Sequence, residues 1–200
     1  FDHGKAKIPL LLRRSAEDPP SSATGSILVG CTTLSQRQAA CLLAHALINT
    51  LPPHPQGFAG NNVYGSVNLS IWRGWMVENC KCILQYFSEI HRRIDADADW
   101  TGTELAFVRV RARQGSRENW EACDVPLLSF TACAEGTIEV DGMGCLQADF
   151  ANEYIGGGVL AGGCVQEEIR FTVSPECLVS LMLCEVMLGD EAVLIAGTEM

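Results

Sequence analysis

Around the acidic turn at residues 95–99 the hydrophobic repeat of this chain changes, and no other feature limits the fold as strongly. Upstream, apolar residues recur at helical spacing. Met76, Cys80, Ile83, Leu84, Phe87 and Ile90 form one stripe and predict a helix over 75–93. Ser35 and Gln38 match a capping box ahead of 39–51, a stretch apolar nearly all round that reads as a buried helix. Segments 15–25 and 52–66 are rich in turn residues and read as loops. Residues 1–100 are therefore expected to form a mainly helical region.

Downstream the period falls to two. Ala106, Val108, Val110 and Ala112 alternate with Phe107, Arg109 and Arg111, the pattern of a half-buried strand. Residues 126–133, 136–140 and 145–150 are further strand candidates. Ser174, Pro175 and Glu176 form a helix start, predicting a helix that runs to Leu188 with Gly189 as its stop. The run 192–196 (AVLIA) reads as a strand buried on both faces of a parallel or mixed sheet. Residues 101–200 are expected to be α/β.

Charge and cysteine content narrow the functional classes. The net charge of −10 argues against non-specific attraction to nucleic acid or an anionic membrane. No apolar run reaches the roughly 18 residues that a membrane-spanning helix needs. The ten cysteines lie scattered through apolar segments and read as buried free thiols in a reducing compartment. A zinc site built on Cys80, Cys82 and His91 is the alternative, although a Cys-x-Cys spacing suits tetrahedral zinc poorly.

The chemistry concentrates in one stretch, GGGVLAGGCVQEEIRF, residues 156–171. Five glycines in eight residues lead into Gln166, Glu167 and Glu168. A glycine-rich turn entering a helix exposes backbone N–H groups, a setting for phosphate; otherwise it is a plain flexible loop. No Lys-Ser or Lys-Thr follows, which excludes a P-loop, and the spacing does not fit a dinucleotide-binding fingerprint. Adjacent carboxylates on a helix ordinarily face solvent, and they point about 100° apart, so they cannot flank one glycosidic bond from opposite sides. What gives the pair interest is its place directly after the cradle.

That stretch, preceded by LQADFANEYI, resembles the signature of the poly(ADP-ribose) glycohydrolase family: three glycines, a seven-residue spacer and Gln-Glu-Glu. GTIE at 136–139 and GTE at 197–199 also look like the family, as do IPLLLRR, TLSQRQAACLLAHAL and CKCILQYF more weakly. The resemblance implies a macrodomain-like mixed sheet flanked by helices at 101–200, following the mainly helical region at 1–100. It also implies that part of the domain lies beyond Met200, so that residues 1–200 alone would be inactive.

By the same resemblance the activity is hydrolysis of ribose–ribose O-glycosidic bonds in poly(ADP-ribose), releasing ADP-ribose, in the setting of the DNA damage response. The polymer and ADP-ribosylated proteins are the implied partners. No cofactor, metal, sequence-specific nucleic-acid contact or membrane is implied, and the protein would act as a monomer in the nucleus or cytoplasm. Glu168 looks like the acid that protonates the departing hydroxyl, with a pKa raised toward neutral. Glu167 looks like the residue that positions the ribose hydroxyls, while Asp149 and Asn152 resemble supports for the glutamates and the reacting ribose. Gly156, Gly157 and Gly158 would hold the diphosphate, and Ile138, Glu139 and Gln166 would contact the terminal adenosine. A non-hydrolytic ADP-ribose-binding macrodomain and a scaffold with a decayed site are the competing readings.

Overall fold

The computed structural model of the protein describes residues 26–51, 67–72, 76–112, 124, 126 and 129–199. The loops expected at 15–25 and 52–66 lie outside them, as does the IPLLLRR stretch.

Three strands form one antiparallel sheet in the order β1 (Ser26–Ser35), β2 (Glu104–Ala112), β3 (Glu191–Ala196). β1 was not foreseen, and it draws the N-terminal half into the sheet. Its pairing with β2 runs from Ser26↔Ala112 to Ser35↔Glu104, with a register shift between Leu28 and Gly30. The mixed sheet expected for the second half is not seen among the described strands. β3 pairs with β2 alone there, and its residues alternate between half-buried and exposed instead of being covered on both faces.

On β2 the buried face is the opposite of the one its small apolar residues suggest. Leu105, Phe107 and Arg109 face the core, while Ala106, Val108 and Val110 are only half buried. Size decides the face, and Arg109 is admitted because its charge is met inside. Its guanidinium donates to the carbonyls of Glu185 (2.9 Å) and Val186 (2.7 Å) and to the Glu191 carboxylate (2.6 Å).

Helix α1 (Gln36–Leu47) begins at the expected box: Ser35 Oγ accepts the Gln38 N–H, and the Gln38 side chain accepts the Ser35 N–H. It stops short of Leu51 because Asn49 takes φ +55°, a left-handed turn that closes the helix. Helix α2 (Val77–Ala96) buries Ile83 and Ile90 along its stripe, with Met76 buried at its N-cap, but Leu84 lies outside the stripe and is exposed. The strand expected at 136–140 is a short helix, α3 (Ile138–Asp141), because Thr137 caps it: its Oγ1 accepts the Val140 N–H, and Asp141 accepts the Thr137 N–H. Residues 145–150 are irregular and so are the described ones of 126–133.

Helix α4 (Gln166–Val173) carries the Gln-Glu-Glu run. The helix expected from Ser174 to Leu188 is a 3-10 turn at Pro175–Val179 followed by α5 (Ser180–Leu183). It ends early because the next backbone groups are taken elsewhere: Arg109 holds the carbonyls of 185 and 186, and the Met187 N–H donates to Glu153 O. One core joins both halves of the chain. Ala39 and Leu43 of α1, Trp72, Ile83 of α2, Phe107 of β2, Val159, Phe171 of α4 and Leu178 all belong to it. No helix among the described residues is long and apolar enough to cross a membrane.

The cysteines depart from expectation. Among the described residues only Cys177 and Cys184 are buried, where burial pushes each thiol up to about 12; Cys80 and Cys82 are half-buried, and Cys31, Cys41, Cys133, Cys145 and Cys164 are exposed. The zinc alternative finds no support. Cys80 Sγ points to the Trp72 carbonyl, His91 faces Asp95, and among the described residues no three ligating side chains meet.

Candidate active site

The N-terminal turn of α4 reaches back onto the segment that precedes it, and the three side chains of the Gln-Glu-Glu run each hold a different part of it. Gln166 Oε1 accepts the Phe150 N–H (2.9 Å), and its Nε2 donates to Ala148 O (3.2 Å). Glu167 accepts the N–H groups of Asn152 (2.9 Å) and Gly156 (2.7 Å). Glu168 accepts those of Gly158 (2.7 Å) and Val165 (2.9 Å). The last of these bonds is half a capping box; Val165 has no side-chain acceptor to complete it. Both carboxylates are buried, against the usual solvent-facing disposition of paired glutamates.

The amides of Gly156 and Gly158 both end on the two glutamates, so in this fold the cradle holds carboxylates. Gly157 is central to it. Its φ is +52°, and a Cβ there would lie 2.5 Å from Glu168 Oε1 and 2.7 Å from Glu167 Oε2. Only glycine permits both the turn and the approach. Gly163, which the sequence reading passed over, packs equally close: a Cβ would meet Glu168 Oε1 at 2.7 Å. Its signal was the glycine pair at 162–163 that closes the run.

Two partners from the helical half steady the loop and helix. Buried Trp72 donates its indole N–H to the Val159 carbonyl at 3.0 Å, and Asn79 Nδ2 on α2 donates to Thr172 Oγ1 on α4 at 2.7 Å. Neither was singled out from sequence, because the contacts span 87 and 93 residues.

The two glutamates differ in charge preference. Burial pushes Glu167 up, and the nearby carboxylates of Asp149 and Glu168 add to this against the pull of its two amide donors. Burial also pushes Glu168 up, but the backbone N–H groups of Gly158, Val165 and Glu168 itself outweigh it and hold the carboxyl below its ordinary range. The rise of Glu168 toward neutrality that the resemblance implies is thus not seen; its shift runs the other way. Asp149 is exposed at its edge, yet the protein crowded against it and Glu168 nearby push it up, opposed by Arg170.

The other expected residues fall around this centre. Asn152 gives its N–H to Glu167 and turns its Oδ1 to the Tyr154 N–H at 3.0 Å. Ile138 and Glu139 stand on α3, half-buried; the backbone N–H of Glu139 itself, the Thr137 hydroxyl and Arg170 keep the Glu139 carboxyl below its usual range.

Residues 21–104 match the family model described as poly(ADP-ribose) glycohydrolase, helical domain, and residues 117–200 match the one described as poly(ADP-ribose) glycohydrolase, macro domain fold. The chain belongs to the poly(ADP-ribose) glycohydrolase family. Among curated relatives it is 30% identical over 176 residues to poly(ADP-ribose) glycohydrolase 1 of Arabidopsis thaliana, covering 85% of this chain and 31% of the relative. It is 32% identical over 170 residues to poly(ADP-ribose) glycohydrolase 1 of Caenorhabditis elegans, covering 84% and 20%. Poly(ADP-ribose) glycohydrolase 2 of the same organism is 35% identical over 121 residues, covering 60% and 24%. The chain spans about a third or less of the length of these relatives. Family membership assigns the α/β second half to the macrodomain fold, and the buried glutamates with their glycine cradle lie inside that part.

Proposed function

We propose that the protein hydrolyses the ribose–ribose O-glycosidic bonds of poly(ADP-ribose), with Glu168 as the acid and base of the reaction. One observation carries the reading: two adjacent glutamates, both buried, are held by the amides of a triple-glycine loop within a family named for this activity.

The mechanism follows from how substrate would change that cradle. Gly156–Gly158 is the proposed diphosphate contact. An entering diphosphate competes for the Gly158 N–H and brings negative charge beside Glu168. Both effects favour the protonated carboxyl, and closure against water adds to them. Glu168 then donates its proton to the departing ribose oxygen as the glycosidic C–O bond breaks, leaving an oxocarbenium-like ribose. Water adds to that carbon and returns a proton to the Glu168 carboxylate, so that one water is consumed for each bond cut. Glu167 orients the ribose hydroxyls, with Asp149 and Asn152 supporting the pair. Ile138, Glu139 and Gln166 contact the terminal adenosine. The site would be used inside the cell, in nucleus or cytoplasm.

The resting ionisation of Glu168 is what a non-hydrolytic ADP-ribose binder would also tolerate, so the test must separate binding from cleavage. Purified full-length protein is incubated with poly(ADP-ribose), and free ADP-ribose is followed by chromatography while binding is read by calorimetry. Catalytic release of ADP-ribose is expected. Binding with no release would favour the binder, and neither would overturn the assignment.

A further inference from the structure

Arg170 is unassigned in the mechanism, yet it stands one helical turn beyond Gln166 and Glu167 on the same side of α4. Its Nη2 donates to Gln147 Oε1. Gln147 in turn donates through Nε2 to the Gly142 carbonyl at 2.7 Å, and Gly142 closes α3 with its N–H on Ile138 O at 3.0 Å. A continuous line of bonds therefore joins the catalytic helix to the short helix bearing Ile138 and Glu139. Gln166 and Glu167 strap residues 148–152 directly; Arg170 and Gln147 strap the element beyond.

We propose that Arg170 is a positioning residue that, through Gln147, fixes the adenosine-contact helix α3 in register with the glutamates of α4. The inference rests on the reading of α3 and α4 as two ends of one ADP-ribose site. Its chemical logic is that an ADP-ribose unit held at the adenosine end delivers its ribose bond to Glu168 only if the separation of the two elements is fixed. A planar guanidinium suits the task because its donors sit in a rigid fork. Arg170 also faces the carboxylates of Asp149 and Glu139 and the Cys177 thiol, and it favours the ionised form of each. Glu168 acts on Asp149 in the opposite sense. Removing the cation therefore removes a restraint on the Asp149 carboxyl as well as the strap.

Three variants of the full-length protein separate these effects. Gln147→Leu cuts the strap and leaves the cation. Arg170→Lys keeps the charge and loses the fork, and Arg170→Met loses both. All three are expected to lower kcat/KM on poly(ADP-ribose) by about 10- to 100-fold with weaker ADP-ribose binding. Only Arg170→Met should shift the acid limb of the pH–rate profile upward. Hydrogen exchange supplies a readout independent of activity: peptides spanning 138–147 should exchange faster in Gln147→Leu and Arg170→Met, while those of β1 stay unchanged. Folded variants with wild-type exchange at 138–147 would overturn the strap. So would variants whose kcat/KM and pH profile per folded molecule match wild type. An inactive wild type would instead sink the functional reading, and the exchange data would still decide the strap.

Discussion

At Gly157 the space that a side chain would need is already filled by the oxygens of Glu167 and Glu168, and the backbone sits at φ +52°. Gly157→Val should therefore abolish turnover and weaken ADP-ribose binding while circular dichroism stays native. Unchanged kinetics in a folded variant would mean the loop is not part of the site. The glutamates make a second residue-level prediction, because their charge preferences oppose each other. Glu168 is held below its ordinary 4.5, so its carboxylate stabilises the fold above that value and the contribution is lost as pH falls through the lower, folded pKa. Glu167 is raised, so acidification through its folded pKa relieves a strained charge. Thermal melts at about pH 7 and about pH 4 should show the loss in Glu168→Gln shrinking with acid and the loss in Glu167→Gln growing. Parallel slopes would show that the two environments are alike.

Among the elements, α4 depends on partners far away in sequence. Trp72→Phe removes the donor to Val159 and leaves a buried carbonyl unmet, which should destabilise the protein by about 1–3 kcal/mol and slow turnover as the glycine loop loosens. Chemical denaturation and polymer assays on one preparation check both effects. The elements also show where sequence signals hold. The α1 cap was legible because a capping box is local, and the α2 stripe because helical period is local. Two strand candidates, 136–140 and 145–150, failed for reasons that period alone does not carry. Thr137 and Asp141 cap residues 136–140 into a helix, while 145–150 is held by Gln166 on Phe150 and Ala148 and by its own Gln147 reaching back to the Gly142 carbonyl. On β2, Arg109 looked like a solvent residue, because its partners Glu185, Val186 and Glu191 lie 76 to 82 residues on.

For the whole molecule, a single core and a sheet built from both halves make the helical and α/β parts one cooperative unit. The buried Arg109–Glu191 pair lies within that sheet. Arg109→Met strands a carboxylate and should cost about 3–5 kcal/mol, lowering the melting temperature of the entire protein in one transition. Two separated transitions would contradict a shared core. The candidate site was legible where its motif is contiguous: the glycines, Asn152 and the Gln-Glu-Glu run, picked out together in the sequence, meet in the fold. Hidden from sequence were the amide bonds that set Glu168 apart from Glu167, since these depend on where the loop folds back. The proposed reaction therefore turns on Glu168. In the full-length protein, poly(ADP-ribose) cleavage and ADP-ribose binding are measured side by side for wild type and Glu168→Gln. The rate is expected to fall by about 100- to 10,000-fold while binding stays within a few-fold. Cleavage within a few-fold of wild type would contradict it and pass the acid's role to Glu167.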